Sequence, residues 1–174
     1  MRNSVDIIDN FLDKEYFSDI QKHLLGPNFP WFFNEGINYD NPPHPTQYQF
    51  IHIFFDAGNE LPYFQLLGDM CRRIGYKEIL SDPMRCGING IMNPRQPEHE
   101  MWGLHIDVEP TKTEGWTTSI FYVNTNNGWT EFETGDKIDC VENRLVSFPS
   151  HIQHSGVSCT DVKRRVVINF NGKL

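Results

Sequence analysis

From about residue 84 onward, short apolar runs alternate with polar positions and are broken by Gly, Asn, Pro or Asp at intervals of roughly 8 to 12 residues. The stretches RCGINGIM, GLHIDV, TTSIFYVNT, WTEFET, DKIDCV, RLVSF, GVSC and RRVVINF read as about eight strands, the number and spacing of a jelly roll or barrel. A period of two sends successive side chains to opposite faces. In GLHIDV, Leu104, Ile106 and Val108 therefore share one face, and His105, Asp107 and Glu109 the other. In RRVVINF, Arg164, Val166, Ile168 and Phe170 form one side, while Arg165, Val167 and Asn169 form its opposite.

The first half has a different pattern. VDIIDNFL reads as a short strand leading into a helix over about 13 to 25, which Asp13 can cap. Leu12 and Phe17 are placed as a hydrophobic staple, and Phe17, Ile20 and Leu24 form the buried stripe; Gly26-Pro27 stops the helix. FPWFFNEGINYDNPPHPTQ suggests a long loop anchored by its rings, followed by a strand at YQFIHIFFD. Leu61, Phe64, Leu67, Met70, Cys71 and Ile74 predict a second amphipathic helix ending near Gly75. Helices followed by a run of strands argue against a doubly wound sheet and predict a mainly β (α+β) fold. One domain over 1–174 is expected, with 1–83 as helical and strand support outside a jelly-roll core at 84–174 that carries the site.

Composition narrows the partners. The 174 residues are 39% hydrophobic, enough for a substantial core, and the formal charge of −8 argues against nucleic acid or anionic membranes. The only compact basic cluster is KRR at 163–165. MRNSVDIIDN lacks a basic region followed by an apolar run, and no apolar stretch reaches the ~20 residues of a membrane span, so a soluble, cytoplasmic protein is expected. The four cysteines, Cys71, Cys86, Cys140 and Cys159, stand far apart without a C-x-x-C pair. They read as reduced thiols packed in the fold.

The polar face of GLHIDV changes the picture. Two ligands at i and i+2 leave a strand on the same side, as His105 and Asp107 do. One imidazole and one carboxylate leave a divalent ion undercoordinated, so a third ligand is expected from a neighbouring strand. His151 and His154, in FPSHIQHSG, both stand at suitable range.

The order H-x-D, IFYVN, NGWTEFETG, NRLVSFPSHIQHSG and RRVVINFN, over roughly 86–171, resembles the iron(II)- and 2-oxoglutarate-dependent dioxygenases, especially small prolyl 4-hydroxylase-like members. The N-terminal VDIIDNFLDKEYFSDIQKHL is similar to what precedes that core. The resemblance implies a double-stranded β-helix whose metal triad is His105, Asp107 and His154. His154 is preferred to His151 because the family's distal histidine precedes a small residue and Gly, here Ser155-Gly156. Two imidazoles and a carboxylate on one octahedral face suit iron(II) and leave positions open. The resemblance also implies that a basic residue before the terminal V-V-I-N-F run neutralises the C5 carboxylate of 2-oxoglutarate. Alternation agrees by turning Arg165 into the pocket, its planar fork matching a carboxylate, and leaves Arg164 as a snorkelling surface residue. Tyr122, in FYVN, would donate to the same carboxylate, and Asn169 and Asn89 would line the pocket. One departure is Asn127-Gly128-Trp129-Thr130, where relatives usually have Gly-Gly; Trp129 would add bulk near an approaching substrate.

The implied activity is that of an oxidoreductase hydroxylating an unactivated C–H bond, with release of succinate and CO2. Iron(II), 2-oxoglutarate and O2 are the expected cofactors, with ascorbate supportive. A prolyl residue of a peptide is the first substrate class, a small metabolite or free amino acid the second, and nucleic acid the last. The 93–103 segment, NPRQPEHEMWG, reads as a lid or solvated loop offering Arg95, His99 and Trp102. The rival reading is a non-catalytic, cupin-like metal- or ligand-binding jelly roll, which has no need of a dicarboxylate clamp.

Overall fold

A computed structural model of the chain describes residues 5–36, 47–56, 58–75, 87–108 and 114–173. The elements run β1 (Asp6–Ile8), α1 (Lys14–Leu24), β2 (Phe32–Asn34), β3 (Gln49–Asp56), β4 (Asn59–Glu60), a 3-10 turn (Phe64–Leu67), α2 (Gly68–Ile74) and β5 (Gly87–Pro94). They continue with β6 (Trp116–Tyr122), β7 (Trp129–Phe132), β8 (Lys137–Asp139), β9 (Arg144–Pro149), β10 (His154–Val157) and β11 (Arg164–Lys173). The strands form two antiparallel sheets. The larger has the order β1-β9-β6-β11-β5-β3-β2, with β4 on β3, and the smaller is β10-β7-β8. Facing each other, they make the expected jelly roll.

Period-two alternation decides what each face meets. Val166, Ile168 and Phe170 of β11 join Phe17, Ile20 and Leu24 of α1 in the core outside the large sheet. The opposite face brings Ile120, Tyr122, Phe148 and Val167 against Phe132 and Ile138 of the small sheet. Each large apolar side chain buried this way contributes about 1.5–3 kcal/mol. The helix begins where Asp13 stays extended and accepts from Tyr16 N–H at 3.0 Å. Past its end, Arg164 Nη2 donates to the Leu25 carbonyl, so Arg164 ties β11 to the helix terminus instead of merely snorkelling.

The structure departs from the sequence expectations in four places. Phe32–Asn34, read as part of a loop, pairs with β3 as a short edge strand. The division at residue 84 does not separate support from core, because β1, β2 and β3 belong to the large sheet. GLHIDV does not form a continuous strand: it touches its neighbour at the isolated bridge His105↔His154, and Met101↔Val157 precedes it. Gly103 at φ +88° breaks the extended run, and Leu104 is 38% exposed while Val108 is buried, so the predicted common face is lost. Finally, the strand read as GVSC begins at His154. Glu109 and Cys86 lie outside the described residues; Cys71, Cys140 and Cys159 are buried free thiols. No described helix is long and apolar enough to cross a membrane.

Candidate metal centre

The main chain brings the first two candidate ligands to the third. His105 N–H donates to the His154 carbonyl and His154 N–H to the His105 carbonyl, both at 3.0 Å. Across this pair the imidazole centroids are 5.0 Å apart. Asp107 sits between them, with His105 Nε2 at 3.5 Å from Oδ1 and His154 Nε2 at 3.7 Å from Oδ2. The ring nitrogen Nδ1 of His105 meets the Gly103 carbonyl at 3.1 Å. Donation there leaves the Nε2 lone pair facing Asp107, the arrangement a metal-ligating histidine needs. His151 is exposed and takes no part.

Burial opposes charge on Asp107, but the neighbouring His154 and His105 outweigh it, with the Asn171 amide adding to them, and hold the carboxyl at about 2. Burial pushes His154 down and keeps its imidazole neutral. Burial also depresses His105, yet the bond and charge of Asp107 prevail and raise it. Asp107 Oδ2 is buried without a hydrogen-bond partner. One ligand atom from each of the three residues lies within 4.8 Å of the others. Three ligands on one octahedral face, each about 2.0–2.2 Å from the ion, stand about 2.8–3.1 Å apart, so the three groups would draw closer together around a divalent ion, and an N2O donor set suits iron(II).

These groups open into a cavity of about 650 Å³ between the sheets. Its wall on the large sheet is set by alternation: Asn89, Ile91 and Asn93 from β5, and Arg165, Val167, Asn169 and Asn171 from β11. Asn89 and Asn169 are direct partners across the β5–β11 ladder. Arg165 is buried, donating from Nε to Cys140 Sγ at 3.1 Å and from Nη2 to Thr130 Oγ1 at 3.3 Å. It forms no ion pair among the described residues, and a buried guanidinium without a counter-ion asks for an anion. Tyr122 does not line the cavity. Its hydroxyl donates to Thr130 Oγ1 at 2.6 Å, and Thr130 is what faces the space.

The buried side-chain polar atoms left without partners among the described residues belong to Asn93, Trp102, Asp107 and Asn169. All four residues line this one cavity. Buried polar groups are normally satisfied, so their concentration here marks a place built for a ligand. The sequence reading missed Asn93 although the signal was present: the period that selects Asn89 reaches it through Ile91. It also missed Asn171, one step past Asn169 on the same face, and Gln49, Ile51 and Ile53, which β3 contributes to the wall. Trp129 faces away, its Nε1 donating to Glu131 at 2.8 Å and its ring packed on His99 and under Lys137. Beside it, a Cβ on Gly128 would lie 2.6 Å from the Val157 carbonyl oxygen, so this turn admits only glycine there.

The sequence matches no protein-family model and no curated protein. Among solved structures, the chain is similar to a prolyl hydroxylase from Trichoplax adhaerens in complex with a hypoxia inducible factor oxygen degradation domain peptide fragment. The TM-score is 0.63 at 17% identity, covering 97% of this chain and 82% of that one. An oxidoreductase of the 2OG-Fe(II) oxygenase family from Burkholderia pseudomallei gives 0.65 at 11% identity, with 97% and 84% covered. This is the fold of the 2OG-Fe(II) oxygenases. HygX from Streptomyces hygroscopicus, with nickel and 2-oxoglutarate bound, shares it at a TM-score of 0.61, 9% identity, and 98% and 83% coverage. Identities this low speak for the fold alone, so the chemistry rests on the residues of the cavity.

Proposed function

We propose that this protein is an iron(II)- and 2-oxoglutarate-dependent oxygenase that hydroxylates an unactivated C–H bond and releases succinate and CO2. The observation that carries the reading is the pairing, in one cavity, of a convergent His105–Asp107–His154 cluster with a buried Arg165 that has no ion-pair partner among the described residues. His105 Nε2, the Asp107 carboxylate and His154 Nε2 would hold iron(II), and Arg165 would neutralise the distal carboxylate of the cosubstrate. Bound there, iron(II) with 2-oxoglutarate supplies the activation of O2. The chain's own part is to keep the His154 imidazole neutral, fix the carboxylate between the two histidines and orient the dicarboxylate. Ile51, Ile91 and Val167 give the wall its apolar stretches and limit water.

A prolyl residue of a peptide is the first substrate class. Arg165 is the only Lys or Arg among the described residues lining the cavity, which leaves no cationic track for a phosphate backbone. Neutral amides such as Asn34 and Gln49 line the wall instead, groups suited to peptide main chain. The similar Trichoplax enzyme is itself in complex with a peptide.

The test is succinate release from 2-oxoglutarate with iron(II), ascorbate and air, in the presence of a library of prolyl peptides screened for the gain of one oxygen. His105→Ala and Asp107→Ala are expected to abolish succinate formation, and Arg165→Met to weaken 2-oxoglutarate binding. Wild-type succinate formation no greater than that of Asp107→Ala, alongside tight metal binding, would instead establish the non-catalytic jelly roll.

A further inference from the structure

The β3–β5 ladder slips once. Ile53 pairs with Asn89 and Phe55 with Ile88, so Phe54 is the extra residue of a bulge. Strict alternation would turn Phe55 to the cavity side with Ile53. The bulge instead sends Phe54 and Phe55 together into the core outside the large sheet and re-aims the residue after them. Asp56, paired with Gly87, lines the cavity beside Ile53 and Asn89. A Cβ on Gly87 would lie 2.3 Å from the Phe55 carbonyl oxygen, so this position is held to glycine and sets no side chain against Asp56. Among the described residues, Asp56 is the only carboxylate lining the cavity besides Asp107. It is exposed, and its carboxylate makes no ion pair or hydrogen bond with a described residue. On the same wall Asn169 is 9% exposed, and its Oδ1 is buried without a partner. The cavity's described cation, Arg165, stands four residues along β11 from Asn169, about 13 Å, and bonds Cys140 and Thr130 instead.

We propose that Asp56, with the carboxamide oxygen of Asn169 as a further acceptor, forms a subsite for a cationic group of the substrate, an alkylammonium or guanidinium such as a basic side chain beside the oxidised residue of a peptide. The inference rests on the oxygenase reading and narrows the substrate class of that site. Ile53, 39% exposed, lines the wall next to Asp56, so the surface runs from apolar to anionic. A long basic side chain matches it, laying its methylene stem on apolar surface and its charged head beyond. Continuing the β5–β11 ladder by one step puts Asn171 across from Gly87. Neighbouring strands stand about 4.8 Å apart, so Asp56 lies two spacings, about 10 Å, from Asn171, whose amide bonds Asp107. A carbon brought to the metal cluster and a charge a few bonds from it fit that span.

The experiment follows succinate release by the enzyme loaded with iron(II) and 2-oxoglutarate, with ascorbate and air. The probes are three short prolyl peptides that differ only in a Lys, Gln or Glu beside the proline, together with free lysine and norleucine. The KM for the Lys peptide is expected to be about fivefold or more below that for the Gln peptide, with the Glu peptide weakest and the gap narrowing in high salt. Asp56 is exposed, so its variants fold. Asp56→Asn is expected to raise the KM for the Lys peptide about fivefold and that for the Gln peptide less than about twofold, and Asp56→Lys to favour the Glu peptide. Stimulation by free lysine over norleucine that Asp56→Asn abolishes, with no response to the peptides, would support the subsite and place the cation on a small amine. Equal KM values for the three peptides, an undiminished Lys preference in Asp56→Asn, or no stimulation by any cationic probe overturns the subsite and leaves the oxygenase reading standing on peptide-independent succinate release. Wild-type release no greater than that of Asp107→Ala overturns both.

Discussion

His105 and His154 are main-chain partners as well as neighbours in the candidate metal cluster, each donating its N–H to the other's carbonyl at 3.0 Å. The convergence of their imidazoles on Asp107 is therefore set by backbone pairing and not by long side chains reaching together. Gly103 completes the arrangement: at φ +88° it turns its carbonyl onto His105 Nδ1. Gly103→Val places a β-branched residue where the left-handed conformation costs roughly 1–2 kcal/mol and displaces that acceptor. Nickel affinity is expected to fall about tenfold or more with far-ultraviolet dichroism unchanged, measured by competition with a chelator. Native affinity in this variant would show that the carbonyl does not orient His105.

A buried hydrogen-bond chain stands behind Asp107. Ser150 Oγ lies 3.0 Å from Thr118 Oγ1, which donates to Asn171 Oδ1 at 2.8 Å. With its oxygen so engaged, Asn171 turns its amide N–H side toward the carboxyl that it helps hold low. Groups one step behind a ligand typically govern metal affinity by 10–100-fold. Thr118→Val breaks the chain without touching a ligand, and is expected to weaken nickel binding about tenfold. An affinity equal to wild type would assign the chain a purely structural role.

What could be read in advance follows from where one neighbour decides one face. β11 was legible because its Val166, Ile168 and Phe170 face must meet α1, which turns Arg165 inward by alternation alone. The first helix was legible from its cap and stripe, both local signals. Phe32–Asn34 was not: three residues carry no measurable period, and Phe32 and Phe33 remain 61% and 62% exposed, so only pairing with β3 makes them a strand. In GLHIDV the alternation was genuine, but a single positive φ at Gly103 outweighed it. Reading Met92 as the end of β5 hid Asn93, although Pro94 is tolerated at a strand terminus. Tyr122 was expected to donate to the cosubstrate's carboxylate, but its hydroxyl bonds Thr130, and the interposition of Thr130 depends on how two sheets close and has no signature along the chain.

Asn143 links the two halves of the molecule. At φ +60°, its side chain accepts from Leu12 N–H at 2.9 Å and donates to the Leu12 carbonyl at 2.8 Å, anchoring the approach to α1 on the turn before β9. Asn143→Ala strands two buried backbone groups and puts a Cβ without compensation in the left-handed region. A loss of about 3 kcal/mol is expected. Asn143→Gly relieves the backbone cost and should recover about 1 kcal/mol of it, in urea unfolding followed by dichroism. Equal stability of the alanine variant and wild type would refute the anchor.

Two acids outside the cavity, the buried Cys71 and the half-buried Tyr16, contribute to the alkaline limit of stability. Burial pushes the Cys71 thiol up to about 12 from an ordinary 9.0, and burial likewise pushes Tyr16, whose hydroxyl donates to the Leu66 carbonyl at 2.5 Å, up to about 12 from 10.0. A folded-state pKa above the unfolded value means that the folded chain holds its proton longer. The associated stability is fully present below about pH 9 and is lost as the pH rises from there toward about 12. Urea midpoints are expected to stay level from neutrality to about pH 9 and then to fall. Cys71→Ala starts lower because of the cavity it leaves, but its deficit should shrink above pH 10, since the unfolded mutant no longer gains by ionising that thiol. Midpoints for the two proteins that remain a constant distance apart up to pH 12 would show that Cys71 does not contribute to the alkaline transition.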